Sequence, residues 1–154
     1  MPDLGKKAPA FTLLNQDGDR IKLSDFKGRT VVLFAYPKAA TSGCTTQACG
    51  FRDQYADITA AGAVVLGISP DAPEKLARWR EKQNFPYDLL SDPDHKVLAK
   101  YGAWGEKKMY GRTYEGVIRS HFVIDADGKL ADQHVKVSPK DSVARAVSFL
   151  QDNE

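Results

Sequence analysis

Two cysteines, Cys44 and Cys49, lie five positions apart in Tyr36-Pro37-Lys38-Ala39-Ala40-Thr41-Ser42-Gly43-Cys44-Thr45-Thr46-Gln47-Ala48-Cys49-Gly50-Phe51-Arg52-Asp53, and the chain has no others. A cysteine can be an inert small hydrophobe, half of a structural disulfide, a metal ligand or a nucleophile, and its surroundings decide which. With His95, His121 and His134 scattered far from the cysteines, no zinc-ligand spacing is visible. The stretch follows an apolar run, and Ala48, Phe51, Tyr55, Ile58 and Thr59 recur at helical spacing behind it. Cys44 is therefore expected in the first turn of a helix, where unpaired N–H groups and the helix dipole favour a thiolate. Ionisation alone is a modest gain. An ordinary thiol with pKa about 8.5 is already roughly 3% thiolate at pH 7, so full ionisation is worth only about 30-fold. Specialised sulfur chemistry needs further groups that stabilise charge in the transition state.

The elements that must hold this stretch are legible on both sides. Phe11-Thr12-Leu13-Leu14 and Ile21-Lys22-Leu23 flank Asp17-Gly18 as a hairpin with a two-residue turn. Residues 24–28 read as a loop. Thr30 to Tyr36 and Ala63 to Ser69 are continuous apolar runs, as in strands buried on both faces, and Pro37 ends the first. Between them the helix carrying the cysteines runs to Gly62. Asp71 with Glu74 forms a capping box for a next helix that stops at Asn84. Asp88 to Ser91 is a short strand, and Asp92-Pro93 opens a short helix ending at Tyr101-Gly102. Residues 103–116 read as one long loop, of a length that is usually functional or disordered. Val117 to Ile124 and Lys129 to Val135 are strands joined by Asp125-Ala126-Asp127-Gly128. Ser138-Pro139 opens a last helix with Val143, Ala146, Val147 and Leu150 on one face. Alternating strands and helices imply a parallel core covered on both faces. The expected fold is α/β, thioredoxin-like, with an N-terminal β-hairpin extension.

Composition narrows the classes. At 154 residues the chain is the size of one typical domain and can bury a core without disulfides or metal. A net charge of +2 argues against a nucleic-acid binder, which carries a basic excess. No apolar run approaches the roughly 18 residues of a membrane span. The start, Met1-Pro2-Asp3-Leu4-Gly5-Lys6-Lys7, has no apolar segment of a secretory signal, so a cytoplasmic location is expected.

Pro37-x-x-x-Thr41-x-x-Cys44 resembles the active-site motif of the peroxiredoxins at every defined position. Cys49 resembles the second cysteine of the peroxiredoxin Q, or bacterioferritin comigratory protein, subfamily. Gly50-Phe51-Arg52-Asp53, the stretch from Trp104 to Gly111 and Arg119-Ser120 extend the resemblance across nearly the whole chain, as one domain over residues 1–154. The resemblance implies a thiol peroxidase of hydrogen peroxide and organic hydroperoxides. In that reaction sulfur attacks one peroxide oxygen while the other leaves as an oxyanion. Cys44 would be the attacking thiolate, Thr41 would hydrogen-bond the peroxide, Pro37 would shield the sulfur from water, and Arg119 would stabilise the thiolate and the developing charge. Cys44 would become a sulfenic acid and condense with Cys49 to a disulfide, which thioredoxin or a related dithiol protein would reduce. No metal, haem or flavin is implied. A monomer is expected, since the pattern shows no large exposed apolar patch.

Two features go beyond the motif. The family usually has a small hydroxyl residue at the position of His121, which strand alternation puts on the face of Arg119, making His121 a candidate pH sensor. On one regular helix, the Cα atoms of Cys44 and Cys49 are roughly 8–9 Å apart, beyond the ~7 Å limit for a disulfide. The helix must therefore unwind for them to pair, with Gly43 and Gly50 as hinges. Two other functions fit the same fold. A thioredoxin-type oxidoreductase would carry Cys-x-x-Cys, whereas four residues separate these cysteines; a non-enzymatic binding or holdase role is not excluded by fold.

Overall fold

Thr30–Ala35 (β3) and Ala63–Ser69 (β4) are nearly continuous apolar runs, and they pair in parallel from Thr30↔Ala63 to Ala35↔Ile68. In the computed structural model, which describes residues 2–153, they form the centre of a seven-stranded sheet of order β2-β1-β5-β4-β3-β8-β9. Asp88–Ser91 (β5) continues the parallel set beside β4. Ser120–Ile124 (β8) and Leu130–Val135 (β9) extend the other side antiparallel. The hairpin of Thr12–Leu14 (β1) and Arg20–Lys22 (β2) adds to β5 through one ladder pair, Leu14↔Ser91.

Helices cover both faces because each strand offers apolar side chains to both. On one face Val32, Phe34, Val65 and Leu89 pack with Ser42–Asp53 (α1), Tyr55–Ala60 (α2), Pro73–Gln83 (α3) and Pro139–Asp152 (α5), through Phe51, Ile58, Leu76, Trp79, Ala146 and Leu150. On the other, Val31, Leu33, Leu66 and Phe122 meet Lys96–Lys100 (α4) and the N-terminal segment. That segment crosses the face from one end of the sheet to the other. Gly5 N–H donates to Leu130 O at the head of β9, Pro9 O accepts from the Tyr101 hydroxyl at 2.6 Å, and β1 then pairs beside β5.

The thioredoxin-like α/β arrangement with its N-terminal hairpin is as expected, and several details differ. The hairpin turn spans residues 15–19 rather than two residues, because Asn15 Oδ1 accepts from both Asp17 N and Asp19 N. The helix after Thr41 breaks at Gln54, with φ −96° and ψ 3°, into α1 and α2. Asp71 does not cap α3. Ala72 is the N-cap residue, and the Asp71 carboxylate accepts instead from Ala39 N and Ser69 Oγ. The short helix after Asp92-Pro93 begins at Lys96, with Asp92 Oδ2 accepting from Leu98 N. Residues 103–116 are not a loop. Trp104–Met109 (β6) and Arg112–Val117 (β7) form a separate two-stranded ribbon, turned by Tyr110 at φ 51° and Gly111 at φ 75°. Its tip leaves Met109 and Tyr110 exposed, an apolar spot the pattern had not suggested. The expected strand from Val117 to Ile124 is interrupted at Ile118-Arg119, so Arg119 lies on the junction between ribbon and sheet.

Candidate active site

The junction at the end of β3 aims α1 over the sheet. Pro37 is half-buried, Ala39 is buried, and Ala40 sits at φ 67°, a left-handed conformation costly for a residue with a Cβ. Ala39 N donates to Asp71 Oδ2 at 2.7 Å, which ties this turn to the residues after β4. The sequence offered Asp71 only as a helix cap; an acidic residue two positions past a strand carries no signal that it anchors this turn instead. Thr41 is the N-cap residue of α1 by backbone conformation. Its hydroxyl makes no cap bond and donates to Lys38 O at 2.7 Å from an exposed position.

Cys44 follows in the first turn of α1 and is 1% exposed. Helix geometry leaves the N–H groups of Ser42, Gly43 and Cys44 without intrahelical acceptors, and their dipoles favour negative charge there. Arg119 Nη2 lies 3.4 Å from Cys44 Sγ, and Arg119 Nη1 donates to Gln47 Oε1 at 2.8 Å. The guanidinium is thus held at two points, one on the sulfur and one on the next turn of the same helix. Gly43 makes room for it: a Cβ there would come within 3.1 Å of Arg119 Nη2. A cleft of about 550 Å³ opens beside Arg119, lined also by Glu106, Lys107, Lys108, Ile118 and Lys136. Lys107 is more than a solvated loop residue. Its Nζ donates to Val117 O, and burial, with Arg119 next to it, lowers its pKa.

Cys49 lies on the same helix and is half-buried, with Sγ 3.5 Å from Gln83 Oε1. Burial pushes its thiol pKa up, against a smaller opposing effect of Arg52. Both cysteines are free thiols, so the structure brings Cys44 and Arg119 together and leaves Cys49 on a folded helix. Gly50 is a contact point as well as a candidate hinge, since a Cβ there would stand 2.7 Å from Val143 Cγ2 of α5.

Gln47, fully buried, was missed by the sequence reading. A polar residue on the same helix face as Cys44 and Phe51 was the available signal. Its Nε2 donates to Ser142 Oγ at 3.1 Å, and Ser142 Oγ lies 2.8 Å from His121 Nδ1. A hydrogen-bonded chain therefore runs from Arg119 through Gln47 and Ser142 to His121. His121 is 0% exposed, and burial lowers its pKa to about 3, helped by His134 and Arg145. It stays neutral between about pH 5 and 8, so it is not the pH sensor the strand pattern suggested. Its Nε2 is buried without a hydrogen-bond partner among the described residues, an omission that ordinarily costs about 1–3 kcal/mol. His121 is paired across the ladder with His134, and Asp132 follows two residues back on the same face. The side chains of His121, Asp132 and His134 converge, with one donor atom from each within 4.8 Å of the others. Ligand spacing along the sequence had hidden this group.

Residues 4–133 match the AhpC/TSA family. The chain is 52% identical over 131 residues to peroxiredoxin Bcp of Escherichia coli strain K12, covering 85% of this chain and 83% of that protein. It is 44% identical over 150 residues to peroxiredoxin Bcp of Bacillus subtilis strain 168, covering 97% and 96%. The crystal structure of peroxidoxin BcpB from Mycobacterium tuberculosis superposes with a TM-score of 0.89 at 34% identity, covering 100% of this chain and 99% of that one. A Xanthomonas campestris bacterioferritin comigratory protein superposes with a TM-score of 0.90 at 28% identity, covering 98% and 99%. No helix among the described residues is long and apolar enough to cross a membrane. The chain belongs to the AhpC/TSA family, as a thiol-dependent peroxidase of the Bcp/peroxiredoxin Q type.

Proposed function

We propose that this peroxidase reduces hydrogen peroxide and organic hydroperoxides with Cys44 as the attacking thiolate, and is recycled through an intramolecular Cys44–Cys49 disulfide by thioredoxin or a similar dithiol protein. The observation that carries the reading is the guanidinium of Arg119, 3.4 Å from Cys44 Sγ and anchored on Gln47 at the start of α1. Cys44 sulfur attacks the terminal peroxide oxygen, the O–O bond breaks, and the departing alkoxide or hydroxide takes a proton. Arg119 and the α1 N–H groups stabilise the charge as it moves from sulfur to the leaving oxygen. Pro37 keeps water from the sulfur and Thr41 hydrogen-bonds the bound peroxide, its hydroxyl turning from Lys38 O to do so. Cys49 then attacks the Cys44 sulfenic acid, water leaves, and a disulfide remains; the dithiol partner takes over that disulfide and restores both thiols.

The cleft beside Arg119 leaves room for an organic substituent, and the X. campestris relative is described by its alkyl peroxide reduction activity. The proposed enzyme works as a single-domain monomer in the cytoplasm. The test is a coupled assay with thioredoxin, its reductase and NADPH. Cys44→Ser is expected to abolish peroxide consumption with the fold intact, while Cys49→Ser should still consume one equivalent of peroxide and stop as the sulfenic acid. Turnover by Cys44→Ser would overturn the assignment.

A further inference from the structure

We propose that His121, His134 and Asp132 form a binding site for a divalent transition-metal ion of the zinc type, on the outer hairpin of the sheet behind the peroxide site. Two strands place the ligands. His121 on β8 stands directly opposite His134 on β9, and Asp132 lies two residues along β9 on the same face. The three side chains already offer donor atoms within 4.8 Å of one another, and His134 Nε2 and Asp132 Oδ2 are 3.2 Å apart. Tetrahedral bonds of about 2.0–2.2 Å put neighbouring donors roughly 3.3 Å apart. The two β9 side chains are partly exposed, so they are free to close the remaining gap of up to about 1.5 Å while remaining reachable by an entering ion.

His121 supplies the second, independent observation. Its Nε2 is wholly buried and has no hydrogen-bond partner among the described residues, while Nδ1 lies 2.8 Å from Ser142 Oγ. A metal-bound histidine ordinarily donates its other ring N–H to an acceptor that fixes its tautomer and orientation. Ser142 is placed to be that acceptor, and with Nε2 on a metal the proton sits on Nδ1 and points at the hydroxyl. Ser142 Oγ also accepts from Gln47 Nε2, so the ligand is braced by α1 and α5 together. Two imidazoles and one carboxylate suit zinc, nickel or copper, whereas magnesium and calcium favour all-oxygen sets. Three protein ligands leave a fourth position for water. Arg145 on α5 acts against His121 with positive charge, which limits affinity, and the Asp132 carboxylate opposes it.

The thiols are metal ligands in their own right, so the experiment uses the Cys44→Ser/Cys49→Ser protein after chelator treatment and dialysis. Zn²⁺ is titrated by calorimetry and Co²⁺ by visible absorption. One equivalent of Zn²⁺ is expected, with the Co²⁺ form showing the intense bands of a four-coordinate site. His134→Ala and Asp132→Asn are each expected to weaken binding at least tenfold, and His121→Thr to abolish the stoichiometric event. Circular dichroism checks each fold. Should His121→Thr fail to fold, the two β9 variants decide. Absence of a one-equivalent event, or binding by His134→Ala and Asp132→Asn as tight as in the parent, would overturn the proposal.

Discussion

The sulfur of Cys44 and the guanidinium of Arg119 come from positions 75 apart in the chain, and the proposed chemistry rests on their 3.4 Å contact. Thiolate content alone is worth about 30-fold at neutral pH, so an arginine that only held the thiolate would be a minor contributor. Arg119→Ala is expected to slow the reaction with peroxide by about 10²–10³-fold, in the range of a lost transition-state donor. Stopped-flow rates would be compared with thiolate absorbance over pH; matched losses in the two would reduce Arg119 to a charge partner of the thiolate. The motif made Pro37, Thr41 and Cys44 legible because all three lie within one short stretch. The support behind them was not. Gln47 and Ser142 are 95 positions apart, and Gln47 reads as one polar letter in a helix until α5 is packed against α1. His121 shows the limit of face arguments. Alternation put it on the right side of the sheet, but only the packing reveals that it is fully buried.

At the scale of elements, α1 must satisfy two demands. Folded, it holds Cys44 on Arg119; in the proposed cycle it would have to unwind for Cys49 to reach the sulfenic acid, since a regular helix keeps the two Cα atoms roughly 8–9 Å apart. Amide hydrogen exchange over residues 43–53 should therefore be slow in the reduced protein and markedly faster in the disulfide form. Equal protection, with the disulfide verified by mass, would sink the opening mechanism. The raised thiol pKa of Cys49 fits the same cycle, because it keeps the second thiol protonated and quiet until the helix opens. Gly50 sets how tightly α1 seats on α5. Gly50→Ala adds a Cβ 2.7 Å from a stiff valine methyl, costing about 1–3 kcal/mol in overpacking, against roughly 1 kcal/mol gained in helix propensity. A net loss of about 1 kcal/mol is expected, with Tm lower by roughly 2–4 °C. The double variant Gly50→Ala/Val143→Ala should recover part of it, and a single variant as stable as the parent would show that the contact relaxes freely. The ribbon β6–β7 was the main element hidden from sequence. Its strands alternate weakly, carry Glu106, Lys107 and Lys108 in succession, and among the described residues pair only with each other. The runs of β3 and β4, buried on both faces, were plain for the opposite reason.

For the molecule as a whole, His121 links stability to acidity. In the unfolded chain a histidine titrates near 6.5, whereas folded His121 titrates at about 3 because burial disfavours its charge. His134 and Asp132 on β9 and Arg145 on α5 are the ionisable groups facing it. Below about pH 6.5 the unfolded chain takes up a proton that the folded protein refuses, so this contribution is complete above that pH and is lost as pH falls towards 3. In chelator-treated protein, about 2 kcal/mol of unfolding free energy should disappear between pH 7 and pH 5 from this residue. Urea titrations of the parent and His121→Thr measure it, and identical pH dependence in the two would remove the linkage. The N-terminal segment spans one face of the sheet between β9 and β5. By touching β9 near residue 5, Tyr101 at residue 9 and β5 through residue 14, it works as a belt buckled at both edges of the sheet. A nick in the belt would leave every catalytic contact in place yet uncouple the two rims, so ageing or digested samples should lose heat tolerance before they lose peroxide chemistry.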